Sequence, residues 1–284
     1  MKAKRLPAPL AGVRPNEGLQ AAYRAKLERM VDDLHASLLY WLRAAYRANT
    51  PEMAQDDLAF GSGESPAMAM RRAMQRLARR WQRRFDDGAP ELAKWFSLAA
   101  MDRSDKQLAE ILKRAGFSVR FRMTAAANDV MQATIGEQVG LIKSIAQQHL
   151  GEVEGLVMRS VSAGRDLGAL SKEIEDRYGV TKRRAALISR DQNNKASASI
   201  QRVRQQGLGI RYAIWRHSNG GNTMRPSHVK ASQDKVLYEV SKGWLDPATN
   251  KRIWPGTEIN CKCFARPILP FMESDYADKI AAID

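Results

Sequence analysis

The chain has 284 residues, enough for one large or two small cored domains, and its apolar share of 44% is ordinary for a folded soluble protein. Forty-six Lys and Arg against 31 Asp and Glu leave 46 minus 31, a formal charge of +15, which draws the chain toward polyanions: nucleic acid first, an anionic membrane surface second. No apolar run reaches bilayer length, Pro7, Pro9, Gly12 and Pro15 interrupt the basic start before a signal core can form, and two cysteines one residue apart cannot staple distant segments; the expectation is synthesis in a reducing cytoplasm without a membrane span, a secretion signal or a disulfide framework.

In chain order, residues 1–17 are Pro-rich and basic, which predicts an extended arm that orders only against a partner. From Leu19 to Ala48 the residues Tyr23, Leu27, Met30, Leu34, Leu38, Trp41 and Ala45 recur at helical steps, and Pro51 ends the pattern. His35 lies beside that stripe and reads as a capped or solvent-facing histidine, not a ligand. Residues 49–66, with Gly61, Ser62, Gly63 and Pro66, read as a connector.

The next helix carries the strongest charge signal. Met70, Met74, Leu77, Trp81 and Phe85 fall within about 80° of one another at helical spacing, while Arg71, Arg72, Arg76, Arg79, Arg80, Arg83 and Arg84 cover the rest. No acid interrupts the seven arginines. Such a face suits phosphate contact, where counterion release drives binding. It also suits a membrane surface, an acidic protein ring or plain solvation. After Gly88-Ala89-Pro90 a short helix is expected over 91–100, then a capping box from Ser104 to Gln107 opens another helix that stops at Gly116. Phe117, Val119, Phe121 and Met123 alternate with polar residues as in a strand.

From Thr124 to Gly164 a nearly unbroken apolar stripe from Met131 to Val161 predicts a rod of about 60 Å. A helix this long suits a strut or an assembly contact. Asp166 is placed to cap a helix closed by Gly179, and Thr181 to cap another reaching Gly207. Within the latter, residues 190–195 are polar all round, and an exposed surface is expected over a hydrogen-bonded interface. Three alternating stretches follow, at 210–215, 236–240 and 261–268, joined by turn-rich segments. The acidic tail beyond Leu269 reads as peripheral. The expected fold is α+β, with a mainly helical N-terminal two-thirds containing a long central helix and then a small mixed α/β, loop-rich C-terminal module. Its expected divisions are 1–17, 18–123, 124–207, 208–270 and 271–284.

The terminal module concentrates the chemistry, holding both cysteines, two of the four histidines and three of the six tryptophans. His217, His228, Cys261 and Cys263 form a donor set that suits tetrahedral zinc. Against zinc, Cys-x-Cys in an extended strand places its side chains roughly 7 Å apart. The competing reading makes the cysteines reduced packing groups, with His228 hydrogen-bonded to the loop that carries them. Ser227-His228 is no serine-base pair, and no phosphate loop or His-Glu-x-x-His motif is present. One enzymatic alternative is a metal-dependent nuclease using His217, His228 and Asp234 or Asp246.

The module also carries a resemblance. A strand ending in Trp215-Arg216-His217, then Arg225-Pro226-Ser227-His228, then a Trp-rich loop and Pro255-Gly256-Thr257-Glu258-Ile259-Asn260-Cys261-Lys262-Cys263, resembles the C-terminal domain of F-like minor head proteins of Mu-type phages. Upstream, Gly164-Arg165-Asp166-Leu167-Gly168 and Arg184-Ala185-Ala186-Leu187-Ile188-Ser189-Arg190 are similar to that family's helical lead-in, so the resemblance covers residues 124–269. It implies a structural, non-enzymatic head-morphogenesis protein of the virion, assembled in the host cytoplasm. It further implies several copies at the portal vertex inside the head, with the portal protein, other head proteins and packaged double-stranded DNA as partners. The alternative from another class is a sequence-nonspecific DNA-binding protein acting outside any particle.

Overall fold

The computed structural model describes residues 6–48, 66–163, 166–218 and 224–283. The expected connector lies outside these residues apart from Pro66, as do Gly164, Arg165 and the turn over 219–222. The fold is α+β, with helices α1 (Glu17–Ala48), α2 (Pro66–Arg114), α3 (Ala125–Ser162), α4 (Leu167–Gly207), α5 (Pro226–Gln233) and α6 (Ala277–Ile280). Among the described residues, five strands fall in the terminal region: β1 (Tyr212–Arg216), β2 (Leu237–Glu239), β3 (Trp244–Asp246), β4 (Lys251–Ile253) and β5 (Phe264–Ile268). No helix among the described residues is long and apolar enough to cross a membrane.

Helix α2 overturns the expected break. It runs unbroken through Pro90, so no separate helix starts at Glu91 and Ser104 is a buried interior residue, not a cap. A proline inside a helix costs about 3 kcal/mol through its missing N–H and its ring. The stripe Phe85, Ala89, Ala93 and Phe96 is fully buried across that point, and each phenylalanine returns roughly 1.5–3 kcal/mol. Continuous packing therefore outweighs the local breaker. The same holds in α4, where Gly179 and Thr181 are interior residues, although Asp166 caps the start as expected by accepting the Ala169 N–H at 3.0 Å. Gly116 ends α2 with φ at +91°, and the Phe117 N–H returns to the Leu112 carbonyl at 2.9 Å.

Two compact units form, each from separated stretches. One comprises residues 23–92 and 137–188. In it, α1 buries Tyr23, Leu27, Val31, Leu34, Leu38, Leu42 and Tyr46, so the stripe rotates by one position along the helix and leaves Trp41 46% exposed. Polar tips are paired inside: Tyr23 donates to Gln138 at 2.7 Å and Tyr46 to Ser160 at 2.8 Å. His35 is buried, contrary to the solvent-facing expectation; it stacks on Tyr178 at 4.1 Å and meets Glu175 at 2.9 Å.

The other unit comprises residues 1–22, 93–136 and 189–284. Its sheet has the order β2-β1-β5 and is antiparallel throughout, with Ala213 opposite both Tyr238 and Pro267. A β3–β4 hairpin stands beside it as a second, two-stranded sheet. Because side chains alternate along β1, both sheet faces are cored. Ile214 joins Val13, Leu108, Leu112, Ile268 and Tyr276 on one face, while Ala213 and Trp215 join Tyr238, Ala265 and both cysteines on the other. Residues 117–123 form no strand; Val119 and Phe121 only lean on the first core, and that one-sided contact accounts for their alternation. The acidic tail is not peripheral, since Met272, Glu273 and Tyr276 are buried and Glu273 pairs with Arg211.

The arm is also bound within the chain. Over residues 6–16 it needs no other molecule to be ordered: the Leu10 N–H donates to the Pro267 carbonyl at 2.9 Å, and Arg266 donates to Leu10 and Pro9 carbonyls at 3.0 and 2.7 Å. This covers the outer edge of β5. Gly12 makes the approach possible, because a Cβ there would stand 2.2 Å from the Phe264 ring.

Candidate functional site

The polar row of α4 is where the structure departs furthest from expectation. Asp191, Gln192, Asn193, Asn194, Ser197, Gln201, Arg204 and Gln205 are all buried. They serve irregular backbone that has no ladder of its own. Asp191 accepts the Asn260 N–H at 2.8 Å, Asn194 donates to the Cys261 carbonyl at 3.1 Å, and Asn193 and Gln201 donate to the carbonyls of Asn16 and Val13, each at 3.1 Å. Arg204 grips Asp105 with two bonds of 2.8 and 2.7 Å and reaches the Arg122 carbonyl at 2.7 Å. The sequence signal was there, in a helix polar on every side, but exposure and interface look alike without the neighbours.

This row shapes the cysteine loop. Asn260 adopts φ of +59°, its side chain takes a bond from Arg190 at 2.8 Å, and the Cys261 N–H closes a turn on the Glu258 carbonyl at 2.9 Å. Gly256 has φ of +88° and leaves a Cβ only 3.1 Å from Ala198. The third strand therefore begins at Phe264, not at Cys261. The extended spacing of about 7 Å does not apply, and the sulfurs and the His228 ring converge within 4.8 Å.

His228 comes from α5, whose first turn is fixed by Pro226. Its ring sits edge-on to Trp215 at 4.9 Å, and its Nδ1 faces both sulfurs, 3.5 Å from Cys261 Sγ and 3.8 Å from Cys263 Sγ. Both cysteines are reduced and buried. Cys261 is held on the thiolate side, mainly because the Cys263 thiol donates to it, with His228 and the Cys263 and Gly256 backbone adding to the effect. The Cys263 thiol is pushed up by that same bond and by burial. His228 Nε2 is buried without a hydrogen-bond partner and lies 4.0 Å from Asp246 Oδ2.

His217, expected as a fourth donor, is not among the converging groups, although it lines a cavity of about 10 Å³ beside Cys261, Cys263 and His228. Its backbone N–H donates to Ser232 Oγ at 3.0 Å. Of the acids named for a nuclease, Asp234 is exposed at the end of α5, whereas Asp246 is buried and holds its own hairpin turn by accepting from Ala248 N at 3.0 Å and Thr249 Oγ1 at 3.3 Å. The three nuclease groups are thus not assembled around an open cleft.

On α2 the amphipathic reading holds. Met70, Met74, Leu77, Trp81 and Phe85 are buried, and Arg71, Arg72, Arg76, Arg79, Arg80, Arg83 and Arg84 lie on the partly to fully exposed faces. Arg84 stacks on Trp81 at 4.9 Å and approaches Asp33 at 3.9 Å.

Residues 151–266 match the family model of phage Mu protein F like proteins. This segment is similar to phage Mu protein F like proteins. The F-like segment begins within α3 and ends inside β5, and so contains the polar row, His217, His228 and both cysteines but none of the seven arginines. An uncharacterized protein of Haemophilus influenzae (strain ATCC 51907 / DSM 11121 / KW20 / Rd) is 30% identical over 152 residues, which cover 54% of this chain and 32% of that protein. The match thus spans about a third of the relative's length. No solved structure matches the chain.

Proposed function

We propose that the chain is a structural minor head protein of a tailed phage, placed at the portal vertex inside the head, in several copies, where its arginine face meets packaged DNA. The observation that carries this reading is the F-like segment over residues 151–266. Its conspicuous polar residues support an architectural role, because they are spent on holding loops and not on lining a cleft. The guanidinium face of α2 adds a surface suited to phosphate, where neutralised contacts release counterions.

Mass spectrometry of purified virions, paired with co-sedimentation of the chain with heads or purified portal, tests the proposal. The chain is expected in the particle and in the portal pellet. A second reading, a sequence-nonspecific DNA-binding protein outside the particle, draws on the arginine face alone. It wins if the chain ignores heads and portal yet binds duplex DNA tightly.

A further inference from the structure

The geometry points to a structural zinc centre held by His228 Nδ1 and the sulfurs of Cys261 and Cys263. This inference stands apart from the phage reading. Zinc–sulfur bonds of about 2.3 Å and zinc–nitrogen bonds of about 2.0–2.1 Å at tetrahedral angles give nitrogen–sulfur edges of about 3.6 Å. The two edges in the structure are 3.5 and 3.8 Å, and all three donor atoms lie within 4.8 Å of one another. The donors are buried, soft to borderline in character, and come from two segments more than thirty residues apart. Such a set selects zinc over magnesium or calcium.

A second observation concerns the far side of the ring. His228 is 2% exposed, and its Nε2 has no hydrogen-bond partner. A histidine that only packed here would bury an unsatisfied nitrogen. Ligation through Nδ1 fixes the ring hydrogen on Nε2, which faces the Asp246 carboxylate 4.0 Å away, beyond hydrogen-bond length but on the side from which a carboxylate attracts a metal-bound imidazole. Binding takes both sulfurs as thiolates, so the proton that the Cys263 thiol shares with Cys261 goes to solvent and the imidazole stays neutral.

A cavity of about 10 Å³ lies beside the three donors and is lined by His217, Ser218 and Arg225 as well. That volume is about one water molecule. The ion would tie α5 to the turn that precedes β5 in a module with short strands and long loops, which is a structural role.

The full chain is purified without chelator, and its zinc content is measured together with its intact mass. The metal-stripped chain is then titrated with cobalt(II). About one zinc per chain and a cobalt spectrum with thiolate charge-transfer bands are expected. Cys261→Ser and Cys263→Ser each weaken those bands. Asp246→Asn, which keeps the acceptor for the hairpin turn, lowers zinc affinity about tenfold to a hundredfold in competition with a chromophoric chelator. Wild-type chain that takes up neither zinc nor cobalt overturns the inference, and so does an intact mass two hydrogens light, which would mean a Cys261–Cys263 disulfide. Both of these outcomes are read on wild-type protein and do not depend on how the variants fold.

Discussion

The side-chain amide of Asn194, in the middle of α4, donates to the backbone carbonyl of Cys261 at 3.1 Å, and both groups are buried. With the bonds that join Asn260 to Asp191 and Arg190, it holds a turn with no sheet partner inside the protein. Removing the donor leaves a buried carbonyl unsatisfied, which costs about 1–3 kcal/mol. Asn194→Leu is therefore expected to lower stability by that amount in urea unfolding. An unchanged midpoint would mean that water or a shifted loop satisfies Cys261 instead.

Gly12 tests the docking of the arm. A methyl group there would stand 2.2 Å from the Phe264 ring and 2.5 Å from the Ala265 carbonyl oxygen, and the second contact is backbone that cannot swing aside. Gly12→Ala is expected to cost about 1–3 kcal/mol and to lift the arm from β5. Limited proteolysis of the variant should then cut within residues 6–16 at a rate the wild type does not show. Equal cleavage rates would contradict the packing described.

A pH dependence follows from His149, which is fully buried, its Nδ1 meeting Thr181 Oγ1 at 2.8 Å. Thr181 itself donates to the Arg177 carbonyl at 3.0 Å, so Nδ1 carries the hydrogen and Nε2 stays unprotonated. Burial, helped by nearby His35 and opposed by Glu152, lowers the His149 pKa from 6.5 to about 4. The unfolded chain, with the ordinary value, takes up the proton first as pH falls. The contribution to stability is thus complete above pH 6.5 and is lost between there and about pH 4, by about 3 kcal/mol. In matched denaturation series, His149→Gln should show a flatter loss across that window than the wild type; parallel curves would refute the assignment.

The arginine face predicts a salt signature. If it grips DNA through six or more phosphates, affinity should fall about a thousandfold between 50 and 200 mM salt. Replacing Arg71, Arg72, Arg79 and Arg83 with Gln should flatten that slope while leaving the fold intact, since none of the four is buried. Fluorescence anisotropy with duplex DNA of two unrelated sequences gives the measurement. A slope unaltered by the four substitutions would place the DNA contact elsewhere.

Much of the helical layout was legible because it rests on short-range periodicity. The stripe from Met70 to Phe85, the arginine face, α3 and the Gly116 stop are local facts, and the structure repeats them. The breaks expected at Pro90 and Gly179 were also local inferences, and they failed because a stripe that stays buried past a breaker repays its cost. The β3–β4 hairpin escaped notice because its strands have only three residues each, too short for a period.

The sequence by itself determined which residues could do chemistry: the donor set, the uninterrupted arginines, and a stretch of α4 that is polar on every side. Only the tertiary structure decided where each was placed and what it touches. It turned residues 258–261 so that the two sulfurs meet His228, left His217 at the rim, and put the polar face of α4 beneath loops instead of in water. The physical reason is that a hydrogen bond or a ligand set is satisfied by partners far away in the chain, and spacing along a sequence carries no record of those distances.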